Sequence, residues 1–325
     1  MSTETLAAYS LLAVYSAAAV YVIAFAAYVV DLARRSSEAI AAQSAGGAVL
    51  NQASGGTTVL APPAPPTSEA GTTRPSRAMR IAFALTVLGF VLHLGALVLR
   101  GIADGHAPWS NMFEFALTGT AVMVAVFLLV NLWRDVRFLG AYVTVLVALL
   151  LGLAAVNVYV PVVPLPPPLQ SAWLVIHVLV ATLGTGFFAV GAGLSLAQLL
   201  QARREDGASQ KWRFLRSFPS SEALENTAYR LNVIGFAFWT FTLIAGAIWA
   251  EHAWGRYWGW DTKEVWTFII WVVFAGYIHA RATRGWRGSR SAWLAIIGFA
   301  AVLFNFTIVN LFFKGFHAYS GLPLD

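Results

Sequence analysis

From Phe138 to Ala202 the chain runs 65 residues without one Asp, Glu, Lys or Arg. A spanning helix needs about 20 apolar residues at roughly 1.5 Å each, so this run is too long for one. Its middle, Pro161-Val162-Val163-Pro164-Leu165-Pro166-Pro167-Pro168, cannot be helical, because proline removes backbone donors and clashes with the preceding turn. The run therefore splits into spans near 138–159 and 172–200. Six further uncharged runs, 5–30, 81–99, 115–133, 231–250, 265–280 and 291–313, fit one span apiece. The 265–280 run is short and must start near Lys263 or Glu264. The expected fold is an all-α, polytopic integral membrane protein of eight transmembrane helices. Composition agrees: 58% of residues are hydrophobic and 11% charged, where an ordinary soluble domain carries roughly 25% charge. A soluble enzyme and a disordered chain are both excluded.

Basic residues orient the bundle. With Arg34 and Arg35 on the cytoplasmic side and the spans alternating, 17 of the 21 Lys and Arg fall on that side. The other side keeps Arg100, Arg256, Lys263 and Lys314. The positive-inside rule then places both termini extracytoplasmic. It also accounts for the net charge of +6 without any nucleic acid. The first span has a long apolar core and only Glu4 before it, unlike a cleaved signal. Residues 33–79 are rich in Ser, Ala, Gly, Thr and Pro and read as a flexible cytoplasmic linker. That division gives an N-terminal transmembrane helix over 1–32 and a seven-helix core over 80–325. The chain has no Cys, which excludes a disulfide framework, a thiolate metal site and thiol redox chemistry of its own.

The chemistry-bearing residues sort to the outer face. Five of 13 Trp lie between Trp249 and Trp266, in a segment (249–264) that also carries Gly255, Arg256, Gly259, Asp261 and Lys263. An interfacial aromatic belt and a flat, apolar ligand platform account for this cluster equally well. His177, just inside the outer end of the fifth span, and His317, just beyond the eighth, share its level. A lone interfacial histidine needs no function, but two beside a Trp-rich segment suit a porphyrin, which wants imidazole ligands, stacking rings and cations for its carboxylates. Arg256 or Lys263 would meet such a carboxylate. His279 sits about 16 residues, roughly 24 Å, below Lys263, toward the cytoplasmic end of its span. At that depth a ligand role and a side chain snorkelling beside Arg281 are nearly balanced. His93 reads as a packing histidine, and Gly184, Gly186, Gly191 and Gly193 as sites of close helix approach.

The segment Trp254-Gly255-Arg256-Tyr257-Trp258-Gly259-Trp260-Asp261-Thr262-Lys263-Glu264 resembles the WWD signature of haem-handling proteins. Within that group the chain is similar to the CcsA/ResC type of system II cytochrome c biogenesis, often called CcsB in actinobacteria. Further anchors follow in family order: Gly105-His106-Ala107-Pro108-Trp109-Ser110-Asn111, Ser171-Ala172-Trp173-Leu174-Val175-Ile176-His177, Tyr277-Ile278-His279-Ala280-Arg281 and Gly315-Phe316-His317-Ala318-Tyr319. One departure is Thr262, where the family commonly has proline. The resemblance implies haem b held at the outer face by His177 and His317, with its edge against Trp254, Trp258 and Trp260. It implies a second, transmembrane haem position to which His279 gives one ligand and a CcsB/ResB-type partner subunit the other. The implied activity is that of a cytochrome c synthase (haem lyase type) complex in the bacterial cytoplasmic membrane. There, haem vinyl groups join the CxxCH thiols of an apocytochrome c kept reduced by a separate thiol-reducing protein. His106 and His252 are not carried over as ligands, Asp261 is expected to position the loop or the client backbone, and no catalytic acid or base is identifiable. The competing classes are a transporter of a non-haem substrate, with the Trp segment as lid, and a haem-b electron carrier.

Overall fold

The computed structural model describes residues 1–52, 76–207, 210–313 and 315–317. Those residues form helices and connections, with no strand among them. The helices are α1 (Thr3–Gln52), α2 (Arg77–Asp104), α3 (Met112–Asn131), α4 (Gly140–Asn157), α5 (Ala172–Glu205), α6 (Ser221–Trp254), α7 (Thr262–Arg284) and α8 (Ser289–Phe304). Beyond α8 come a π-helical turn, Asn305–Val309, and a last helical turn, Asn310–Phe312. All eight helices, α8 with its extension, are long and apolar enough to cross a membrane.

Polar side chains set where helices begin. Ser76, Asn111, Ser171 and Ser220 each accept a hydrogen bond from an amide of the first turn of α2, α3, α5 and α6, replacing a partner the helix lacks. Uncharged runs mark only the apolar part of each helix, so α5 and α6 extend past their expected ends to Glu205 and back to Ser221. The proline segment has no regular secondary structure through 161–166 and ends in a short 3-10 turn, Pro167–Leu169.

Two features depart from the sequence reading. Helix α1 does not stop at residue 32 but runs to Gln52, into the stretch expected to be linker. Residues 33–52 hold several alanines and no proline, and alanine is the best helix former. The rest of that stretch, 53–75, lies outside the described residues. Nor is α1 set apart from a seven-helix core. Val14, Ala17, Tyr21, Ala24 and Tyr28 recur three and four residues apart and are fully buried, a stripe packed on α2 and α4. Ser10 donates to the Ala96 carbonyl at 2.8 Å, and Tyr28 and Thr86 share a 3.2 Å hydrogen bond.

Helix α5 is the central element. Gly184 and Gly191 face α6, Gly186 faces Val122 and Val126 of α3, and Gly193 faces Tyr142 of α4; a Cβ at each would crowd its neighbour. Held on three sides through its middle, α5 carries His177 about two turns before Gly184.

Candidate functional site

Helix α6 ends at Trp254, and Gly255 caps it with φ 70°, a left-handed conformation that glycine adopts without the clash a Cβ would bring. The chain then turns through residues 255–261 into α7. Glu264, in the first turn of α7, reaches back to accept from the amides of Gly259 at 2.8 Å and Asp261 at 3.1 Å. This capping box pins the turn to the helix that follows it. Trp260, at φ 58°, is the one non-glycine described with positive φ. Its side chain is 77% exposed, so the loop holds it outward at a conformational cost of about 1–3 kcal/mol.

The Trp segment is not one flat platform. Trp254 turns inward and meets the edges of Trp249 and His317, with ring centroids 4.8 and 4.7 Å apart. Trp249, 2% exposed, stacks on His177 at 5.9 Å with 13° between ring planes, and its ring centroid lies 5.5 Å from that of His317. Trp258 and Trp260 pair edge to face at 5.9 Å on the outside of the loop. Trp249 is thus the element that links the two histidines, and the sequence offered no reason to single it out from its neighbours.

Both histidines are oriented by the same device. His177 Nδ1 lies 3.0 Å from the Thr242 carbonyl oxygen, and His317 Nδ1 lies 2.6 Å from Asp261 Oδ2. A carbonyl and a carboxylate only accept, so each Nδ1 carries the proton and each Nε2 keeps its lone pair. Burial lowers the His317 pKa below the ordinary imidazole value, against the pull of Asp261. For Asp261 burial acts upward, but the hydrogen bond and charge of His317 outweigh it and hold the carboxyl below its usual range. A carboxylate that accepts from the far ring nitrogen is the arrangement that fixes and strengthens a metal-ligating histidine.

His177 and His317 stand in a wall shared by two cavities. The larger encloses about 1170 Å³ of empty space, part of it open, between α3, α5 and the end of α8; Trp109, Phe115 and Phe306 are among its apolar lining. The smaller, about 470 Å³, lies under Tyr257 and Trp258 against Gly246 and Ala250 of α6. Among the described residues no three His, Asp or Glu side chains cluster to hold a bare metal ion. Two imidazoles with apolar space around them instead fit a planar complex that brings its own four equatorial donors.

The loop between α2 and α3 is held by a buried ion cluster. Arg100 binds Asp104 and Glu114, each at 2.7 Å, and donates to the Val160 carbonyl at 3.0 Å. Glu114 also accepts from Ser110 and Asn111, which line the larger cavity beside Trp109.

The remaining histidines lie elsewhere. His279 is exposed on α7, with none of the other described histidines against it. His93 is fully buried, its Nε2 2.9 Å from the Leu117 carbonyl and its Nδ1 3.4 Å from the Tyr21 hydroxyl, a packing histidine. His106 and His252 make only local contacts to Ala107, Ile248 and Glu251.

Residues 109–317 match the family model described as Cytochrome C assembly protein, and the chain belongs to that family. Its relatives are of the CcsA type. It is 33% identical over 261 residues to the cytochrome c biogenesis protein CcsA of Guillardia theta, covering 74% of this chain and 86% of that one. To the CcsA protein of Prochlorococcus marinus it is 35% identical over 250 residues, 69% of this chain and 78% of that one. Among solved structures, "Cytochrome c Heme Lyase CcmF" superposes with a TM-score of 0.61 at 18% identity, a likeness of fold. The match covers 94% of this chain but about half, 47%, of the CcmF chain.

Proposed function

We propose that the protein binds haem at the extracytoplasmic end of the bundle and presents it for covalent attachment to apocytochrome c. His177 and His317 serve as the axial ligands. The observation that carries this reading is the matched pair of Nδ1 hydrogen bonds, which leave two Nε2 lone pairs in the wall between two cavities. The family and the CcsA relatives support a role in cytochrome c maturation. The outward orientation rests on the basic residues, 17 of 21 on the opposite side.

Trp249 and Trp254 pack the two imidazoles, while Trp258, Trp260 and Tyr257 form the face that a client protein meets. Haem b is the substrate. A thiol S–H of the client CxxCH motif adds across a haem vinyl double bond; sulfur takes one carbon, hydrogen the other, and nothing leaves. The chain contributes orientation and proximity, worth up to about 7–11 kcal/mol of a barrier when geometry is right. With no Cys here, both thiols belong to the client, and a separate reductant keeps them reduced. The exposed His279 fits a half-site for a second haem, completed by a CcsB/ResB-type partner subunit in the bacterial cytoplasmic membrane.

The test is co-expression with such a partner and a CxxCH reporter. His177→Ala and His317→Ala each lower both the haem purified with the protein and the yield of covalent cytochrome. Unchanged haem content in both variants refutes the ligand assignment.

A further inference from the structure

Among the described residues Lys263 makes no ion pair. It stands in the first turn of α7 and lines both cavities, in the same shared wall as the histidines. Among the described residues no carboxylate lies within ion-pair distance of it, and the neighbouring Asp261 is engaged by His317. The ammonium has three protons to donate, and the contact found is 2.5 Å to Asn310 Oδ1. A half-buried ammonium whose hydrogen-bond contact is one neutral amide oxygen is left with protons that a ligand acceptor would satisfy.

The end of α8 is reshaped around this point. In a regular helix Asn305 and Asn310 would point about 140° apart, at 3.6 residues per turn. The π turn over Asn305–Val309 brings both into the lining of the larger cavity. Such turns commonly mark functional sites. Asn305 Nδ2 donates to Thr267 Oγ1 at 3.2 Å, and Thr267 donates to the Lys263 carbonyl at 2.7 Å. The Asn305 Oδ1 atom is buried, at a residue 6% exposed, and has no hydrogen-bond partner. The amide NH2 of Asn310 has no acceptor among the described residues. Protein atoms alone do not close this polar cluster. Arg256 is the other cation of the segment, but its guanidinium covers the Phe316 ring at 4.3 Å and lines neither of these two cavities.

We infer that Lys263 and Asn310 form a clamp for a carboxylate of the ligand held by His177 and His317, the Lys263 ammonium and the Asn310 NH2 each donating to it. This rests on the haem reading, under which the carboxylate is a haem propionate.

The experiment titrates the purified full-length protein, stripped of haem, with haemin and with haemin dimethyl ester, following the Soret band. The ester keeps iron and ring but has no carboxylate. Wild-type protein binds haemin about tenfold tighter than the ester, the worth of a charge-assisted hydrogen bond. Lys263→Met loses that preference by weakening haemin alone, Lys263→Arg keeps part of it, and Asn310→Leu shows a smaller loss than Lys263→Met. In every case the band position stays that of a six-coordinate bis-imidazole complex. Equal binding of haemin and ester by wild-type protein overturns the clamp while leaving the haem site standing. A wild-type protein that gives no Soret band with either compound overturns the haem reading and the clamp with it.

Discussion

Removing the Asp261 carboxylate tests whether this residue acts on His317 or only shapes the loop. The side chain accepts from His317 Nδ1 at 2.6 Å, and both are largely buried, 6% and 17% exposed. A hydrogen bond to a charged group contributes about 1.5–3 kcal/mol. Losing a partner that orients a metal-ligating histidine costs about 10–100-fold in affinity, or roughly 1.4–2.8 kcal/mol, and the two estimates agree. Asp261→Ala is therefore expected to speed haem loss about 10–100-fold, read by transfer to excess apomyoglobin. Asp261→Asn keeps an acceptor for Nδ1–H without the charge and falls between Ala and wild type. Because the carboxylate raises the basicity of the imidazole, both variants also shift the midpoint potential of the bound haem upward. Glu264→Gln is the control: it weakens the capping box that Glu264 makes with the Gly259 and Asp261 amides but leaves the His317 contact. Haem loss from Asp261→Ala no faster than from Glu264→Gln, with no change in potential, refutes the argument.

Three other substitutions probe how the site is held. Arg100→Met leaves Glu114 and Asp104 buried without their cation, at a cost of about 3–5 kcal/mol, expected as a large drop in folded yield and thermal stability in detergent. Trp249→Ala removes the ring that packs on both histidines and costs about 3–5 kcal/mol, with loss of bound haem at expression levels where wild type retains it. Gly255→Val forces a β-branched residue to φ 70°, costing at least about 1–2 kcal/mol; thermal melting measures it, and Gly255→Asn is expected to be milder.

How much of this was legible in the sequence follows from what each feature depends on. The eight spans were readable because the bilayer penalises charge locally, residue by residue, and the uncharged runs record that penalty directly. Their ends were less so: Glu205 and Ser221 lie beyond the apolar slab, where helix continuation depends on caps and on neighbouring helices. The expected linker failed over 33–52 because alanine favours helix as readily as it fills a disordered segment, and composition does not separate the two. His177, His317 and the Trp segment stood out by residue type and level. What they do to one another did not, since Trp249, Thr242 and Asp261 act through contacts across 56 to 72 residues of chain, fixed only by how α5, α6 and α7 pack. The π turn at Asn305 left no mark in the sequence either, as its extra residue per turn is stabilised by tertiary contacts rather than by a composition signal.

The two proposed haem positions differ in a way that gives a last test. At the outer position both imidazoles, their orienting acceptors and the surrounding aromatic rings come from one chain. His279 has no described histidine opposite it on this chain, and its side chain is exposed on the face of α7. A site complete within one subunit binds without the partner; a half-site does not. The chain purified alone is therefore expected to hold one haem per molecule with the six-coordinate spectrum. His279→Ala is expected to leave that haem unchanged while abolishing a second haem that appears only on co-purification with the partner. If His279→Ala removes haem from the chain purified alone, the outer site is not self-sufficient. Loading would then pass through the membrane position first, and the two sites would be stages of one route rather than independent ones.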